Sequence, residues 1–311
     1  MSSNLSASSK PYCRYLIVAR HGERLDYVRR DAGDPWTPTA SRPYDPPLTE
    51  HGLAQAAKLG QHLKGELQRR GIPPITTVYT SPFLRCRQTA VAAAAQLDAP
   101  VRVEFGLCES FNESWFRSWA LPGTDGTWGY RMPPDAGNVV VDADLAAMDP
   151  QLFHVAARRP VQALPLFTDF QTETDSTAVV DTSYTSQTTI PEPYSLHPLL
   201  LETRKAQATR MLDVVEKTAN DDCHTVMLTS HGAPVQHLFG GLTGKSWQEH
   251  GPSVYCCYSI YQSTTTSDND DNGDAVWKPI VVNESAYLDE QLQGDNYMTP
   301  MTTGNDENAT K

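Results

Sequence analysis

Two histidines, three arginines and a glutamate stand where their types could do chemistry. Arg20, His21 and Arg24 lie together, directly after the apolar run Tyr15–Ala19. Arg85 follows a second run rich in β-branched residues, Glu109 a third and His231 a fourth. Gly22 and Gly232 each come directly after a histidine. A buried cation is costly unless something pairs with it. A single arginine could pair with a local carboxylate such as Glu23 or Asp26. Three arginines and two histidines at separate strand ends suit another partner, a tetrahedral dianion. Guanidinium forks match phosphate oxygens in bidentate fashion, and free N–H groups at helix starts add to the field.

Such a cluster needs strands that end side by side. "YLIVA" reads as a buried strand. Residues 49–70 carry Leu53, Ala56, Leu59, Leu63 and Leu67 at helical spacing, with Thr49 as N-cap and Gly71 as the stop. "ITTVYTS" (75–81) reads as a second strand, and "PFLRCRQTAVAAAAQL" as the helix after it, with Pro82 near its start. "VRVEF" (101–105) is a third strand, 198–218 an amphipathic helix, and "HTVMLTS" (224–230) a fourth strand running into "HGAPVQHLFGG". "VYCCYSIYQ" (254–262) and "VWKPIVV" (276–282) read as late strands around an acidic loop. This alternation predicts an α/β fold, a mainly parallel central sheet flanked by helices on both faces, with ligands at the carboxyl ends of the strands. Residues 117–197 break the alternation. They are Ser/Thr-rich and read as an insertion over the strand ends. Residues 1–12 and 290–311 read as disordered tails around one domain at 13–289.

Bulk properties exclude several classes. The chain has 311 residues and a net charge of -12, which argues against a nucleic-acid or anionic-membrane surface. There is no run of 18 apolar residues and no N-terminal apolar segment, so the expected location is cytoplasmic, without a membrane span. The six cysteines show no CxxC spacing and read as reduced thiols. Cys256 and Cys257 would point to opposite faces of a strand. The remaining histidines lack metal-ligand spacing, so no metal and no cofactor are expected. "GGLTGKS" (240–246) is one residue short of a Walker A loop. Cys13 to Arg20 is one residue too long for a cysteine phosphatase.

"ARHGER" resembles the signature of the histidine phosphatase superfamily, also called phosphoglycerate-mutase-like. "DPPLTEHG" (45–52), "SPFLRCRQTA" (81–90) and "LTSHGAP" (228–234) resemble its further segments, in the same order. Within it, "RHGERLD", "LRCRQTA" and "GLCE" are most similar to the suppressor of T-cell receptor signalling (ubiquitin-associated, SH3-containing) and ecdysteroid-phosphate phosphatase group. "VDTSYTSQTTIP" (180–191) is loosely similar to part of that group's insertion. The chain has no counterpart of the ubiquitin-associated and SH3 domains. It has Glu23-Arg24-Leu25-Asp26 in place of the mutases' Glu-Ser-x-x-Asn.

The resemblance implies a metal-independent phosphomonoester phosphatase working through phosphohistidine at His21. Arg20, Arg24, Arg85 and His231 would hold the phosphoryl group, with His231 also catalytic. Glu109 would be the general acid, with Glu113 as the alternative. Trp115, Phe116 and Trp119 could line a pocket. A phosphotransferase of the mutase type and a non-catalytic phospholigand-binding protein remain as rivals. The partner would be a phosphorylated small molecule or a phosphopeptide, with phosphotyrosine, steroid phosphate and metabolite phosphates all open. A homodimer is left open too.

Overall fold

The computed structural model describes residues 15–36, 39–40, 45–109, 180–181, 183–188, 203–219, 225–264, 276–289 and 291–292. Both tails and most of the insertion lie outside them. Six strands form one sheet: β1 (Tyr15–Arg20), β2 (Thr77–Thr80), β3 (Val101–Val103), β4 (Thr225–Ser230), β5 (Tyr258–Thr264) and β6 (Val276–Glu284). Their spatial order is β3-β2-β4-β1-β5-β6. The first four strands run parallel, β5 runs antiparallel to β1, and β6 runs antiparallel to β5. The sheet is therefore mainly parallel.

Strand periodicity splits the core in two. Ile17, Ala19, Val78 and Met227 face α2 (Glu50–Arg70) and α3 (Leu84–Leu97). Their neighbours Leu16, Val18, Tyr79, Val226 and Leu228 join a second cluster with α4 (Arg204–Ala219) and α5 (Gly232–Thr243). Both faces of the central strands are covered, which is why these strands read as continuous apolar runs rather than alternating ones.

Register then sets the site. Arg20 pairs with Ser230, and Thr80 with Thr229. The next residues of three adjacent strands, His21, Ser81 and His231, share one rim. His231 is the N-cap residue of α5.

Several elements depart from the sequence reading. The strand expected at 101–105 ends at Val103, because Glu104 accepts from Gly106 N and starts a 3-10 turn over Phe105–Leu107. The strand expected from 254 begins at Tyr258. Val254–Cys257 is a turn closed by Cys257 N to Val254 O, with Cys256 at φ +53°. Cys256 and Cys257 thus lie off the strand, although both are buried free thiols. A short helix, α1 (Leu25–Asp31), follows β1; it carries too few apolar residues to show a stripe. In α2, Thr49 caps through Gly52 N and Gly71 stops the helix at φ +68°, but Leu53 lies outside the buried stripe at 39% exposure. The Walker-like glycines are a helix end: Gly244 stops α5 at φ +67° and bonds to Gly240 O. Among the described residues, no helix is long and apolar enough to cross a membrane.

Candidate active site

His21 is buried at the end of β1. Its Nδ1 lies 2.7 Å from the carbonyl of Gly22. The proton therefore belongs on Nδ1, which leaves the Nε2 lone pair available. Burial holds the His21 pKa well below the ordinary histidine value, and Arg85, Arg20 and Arg24 push it the same way. A neutral imidazole with one directed lone pair is a nucleophile.

Two glycines let the segment take this path. A Cβ on Gly22 would stand 2.6 Å from the Gly52 carbonyl oxygen. The "RHG" and "PLTEHG" segments thus meet backbone to backbone. Thr89 Oγ1 accepts from Gly22 N at 3.0 Å and donates to Arg85 O at 2.8 Å. One threonine of α3 thereby ties the His21 loop to the helix that carries Arg85.

The three arginines are held differently. Arg20 Nη1 donates to Ser253 O at 2.5 Å, and its guanidinium lies 4.5 Å from the Tyr255 ring centroid. Arg24 makes a bidentate pair with Asp26 at 2.8 and 2.7 Å, so the local carboxylate partner does exist for this arginine. Arg85 is fully buried, and none of its three side-chain nitrogens has a hydrogen-bond partner among the described residues. Its nearest carboxylate oxygen, on Glu109, stands 3.9 Å away.

His231 faces His21 edge to face, with ring centroids 5.3 Å apart. Its Nε2 lies 2.8 Å from Ser81 Oγ and its Nδ1 3.5 Å from Glu109 Oε2. Burial lowers its pKa well below the ordinary value, with Arg85 the next cause. Cys86 Sγ sits 3.4 Å from the same Nε2, and burial raises its thiol pKa, so it stays protonated. The fold thus brings His21, Arg20, Arg85, Glu109 and His231 to one rim. Arg24 joins them through its electrostatic effect on both histidines. Glu113, Trp115, Phe116 and Trp119 lie outside the described residues. Among those described, no group of three or more His, Cys, Asp and Glu could hold a metal ion.

Residues 16–118 match the family model described as histidine phosphatase superfamily, branch 1. This match covers about a third of the chain. Curated relatives include the transcription factor tau 55 kDa subunit of Saccharomyces cerevisiae, 33% identical over 38% of this chain and 24% of that protein. The ecdysteroid-phosphate phosphatase of Bombyx mori is 32% identical over 39% of this chain and 21% of its own length. The ubiquitin-associated and SH3 domain-containing protein B of Mus musculus is 34% identical over 42% and 23%. The chain thus spans under a quarter of the length of these relatives. The resemblance to the phosphatase group named in the sequence analysis is matched by the last two.

Sequence reasoning missed three neighbours of this site. Ser81 was legible as a strand-end residue level with His21 and His231. Cys86 was quoted only as part of a motif. Tyr255 gave no signal, because its segment reads as strand.

Proposed function

We propose that the chain is a metal-independent phosphomonoester phosphatase acting through a phosphohistidine. One observation carries the reading: the His21 proton sits on Nδ1, which leaves the Nε2 lone pair available, and the buried Arg85 guanidinium has no hydrogen-bond partner among the described residues. A guanidinium with Glu109 at 3.9 Å but without hydrogen-bond partners among the described residues fits a phosphoryl group as a further partner. His21 Nε2 attacks phosphorus in line, and the bond to the leaving oxygen breaks. Glu109 gives its proton to that oxygen. Arg20, Arg24, Arg85 and His231 stabilise the equatorial oxygens as charge develops. Water then attacks the phosphohistidine, Glu109 takes its proton, and inorganic phosphate leaves. Three guanidiniums supply the charge that a metal supplies elsewhere.

Rapid quench with labelled aryl phosphate, followed by peptide mapping in alkali, tests this. The label should sit on the His21 peptide, survive alkali, be lost in acid and vanish in His21→Ala. Chelators should leave turnover unchanged. Full activity in His21→Ala, or strict dependence on an added divalent metal, overturns the mechanism. Binding without turnover is the second reading, favoured by the similarity to a transcription factor subunit. Phosphate binding with no label at His21 would establish it. Transfer of the phosphoryl group to a sugar hydroxyl rather than water would mark the mutase-type reading instead.

A further inference from the structure

The turn Val254–Cys257 is fastened to the nucleophile's own segment. Cys256 N donates to His21 O at 3.2 Å, and Arg20 N donates to Cys257 O at 3.0 Å. Tyr255, at the second position of this turn, therefore has its backbone fixed relative to Arg20 and His21. Its ring centroid lies 5.8 Å from that of His21 and 4.5 Å from the Arg20 guanidinium carbon. The side chain is 1% exposed, and its hydroxyl has no hydrogen-bond partner among the described residues. A buried hydroxyl is normally satisfied. This one lies within the electrostatic reach of Arg20, Arg24, Tyr27 and Asp26. Arg20 is incomplete as well: its main-chain bond to Ser253 O uses Nη1, while its buried Nε has no hydrogen-bond partner among the described residues.

We propose that Tyr255 is a further catalytic residue, whose hydroxyl donates to a non-bridging oxygen of the phosphoryl group over His21 while its ring steadies Arg20 for the same group. This rests on the phosphoryl-binding part of the reading above. Burial pushes the phenol pKa up to about 12, with Arg20 and Arg24 pulling it the other way. The group is therefore a donor throughout the neutral range. A donor and an arginine held by one side chain would couple two contacts to one turn. Tyr261 offers an internal contrast. It is equally buried, on β5, but it packs in the apolar cluster of α4 and α5.

The test compares Tyr255→Phe and Tyr261→Phe in the full chain. Tyr255→Phe keeps the ring over Arg20 and removes only the hydroxyl. A hydrogen bond to a charged group corresponds to about 10- to 100-fold in affinity. Tyr255→Phe should therefore weaken inorganic phosphate, titrated calorimetrically, about tenfold or more. It should lower kcat/KM for p-nitrophenyl phosphate at least as much, equally at every pH from about 5.5 to 8.5. Tyr261→Phe should leave both unchanged. Wild-type phosphate affinity and kcat/KM in Tyr255→Phe, or equal losses in the two variants, overturn the proposal. A wild type that binds phosphate without turnover would overturn the phosphatase reading, and the phosphate titration would then decide Tyr255 alone.

Discussion

Arg85 and Glu104 are both charged and both fully buried, and each follows a neighbouring parallel strand. Their surroundings are opposites. Glu104 accepts from Tyr184 Oη at 2.8 Å, Ser186 Oγ at 2.6 Å, Gln187 N at 3.0 Å and Thr188 N at 3.1 Å, and also from the Thr188 hydroxyl. Arg85 has the Phe83 ring 4.6 Å from its guanidinium carbon and no hydrogen-bond partner among the described residues. A carboxylate with this many donors is complete without a ligand. It anchors residues 184–188 to the end of β3 and to the turn that leads toward Glu109. A guanidinium without acceptors is an unfinished site. Burial of a charge alone therefore does not mark function; what sets Arg85 apart is a buried charge without hydrogen-bond partners among the described residues, close enough to lower the pKa of both His21 and His231.

The widest contrast is expected from removing each charge. Arg85→Met should lower kcat/KM for an aryl phosphate by about 10²- to 10³-fold, the range seen when one preorganised donor is removed. The same change should leave the melting temperature level or raised, since an apolar side chain replaces a buried cation without hydrogen-bond partners among the described residues. Steady-state kinetics and thermal unfolding of one preparation check both. Retained activity with a lower melting temperature would make Arg85 structural. Glu104→Gln should do the reverse. It trades charge-assisted bonds for an amide whose N–H groups face donors. A loss of about 3 kcal/mol corresponds to a fall of about 6–12 °C. Its effect on kcat/KM should be smaller than that of Arg85→Met. A stable Glu104→Gln protein with a large rate loss would break the comparison from the other side.

A ligand should erase part of the difference. Inorganic phosphate at about 100 times its Kd should stabilise the wild type by about 2.7 kcal/mol. Arg85→Met should lose most of that gain, and Glu104→Gln should keep it in full. Differential scanning fluorimetry across a phosphate series reads both. Equal stabilisation of all three proteins would place the bound anion away from Arg85.

The sequence made Arg85 legible and left Glu104 opaque, for a physical reason. Arg85 sits one residue into the helix that begins at Leu84, just after a β-branched strand. Strand alternation fixes such a residue near the sheet's carboxyl edge before any contact is known. Glu104 reads as one more residue of "VRVEF", and its partners come about eighty residues later. No periodicity connects the two. The turn at Val254–Cys257 failed in the same way. Its composition favours a strand, and the bonds to Arg20 and His21 override that preference. Asp26 was visible as the local partner of Arg24, and it is that partner. The helical spacing of Ala56, Leu59, Leu63 and Leu67 marked their buried face because they all pack against one sheet.

The smallest expected effect is the most specific to the pair. Burial and then Arg85 keep both His21 and His231 below the ordinary histidine pKa. Above about pH 6.5 these histidines are neutral in the folded and the unfolded chain, so they add no pH dependence. As the pH falls below that value, the unfolded chain binds protons at both positions and the folded chain does not. Each histidine then costs the fold up to about 1.4 kcal/mol per pH unit, until the pH reaches its folded value. Stability measured by urea unfolding should therefore drop between about pH 6.5 and 5. Catalysis should persist over the same window, because the nucleophile stays neutral. His21→Asn should shallow the slope by about one proton. Arg85→Met removes the largest cause after burial and should shallow it as well, by less. Glu104→Gln should lower the whole curve without changing its slope. A slope that Arg85→Met leaves intact and Glu104→Gln alters would mean that Glu104, and not Arg85, sets the protonation of the two histidines.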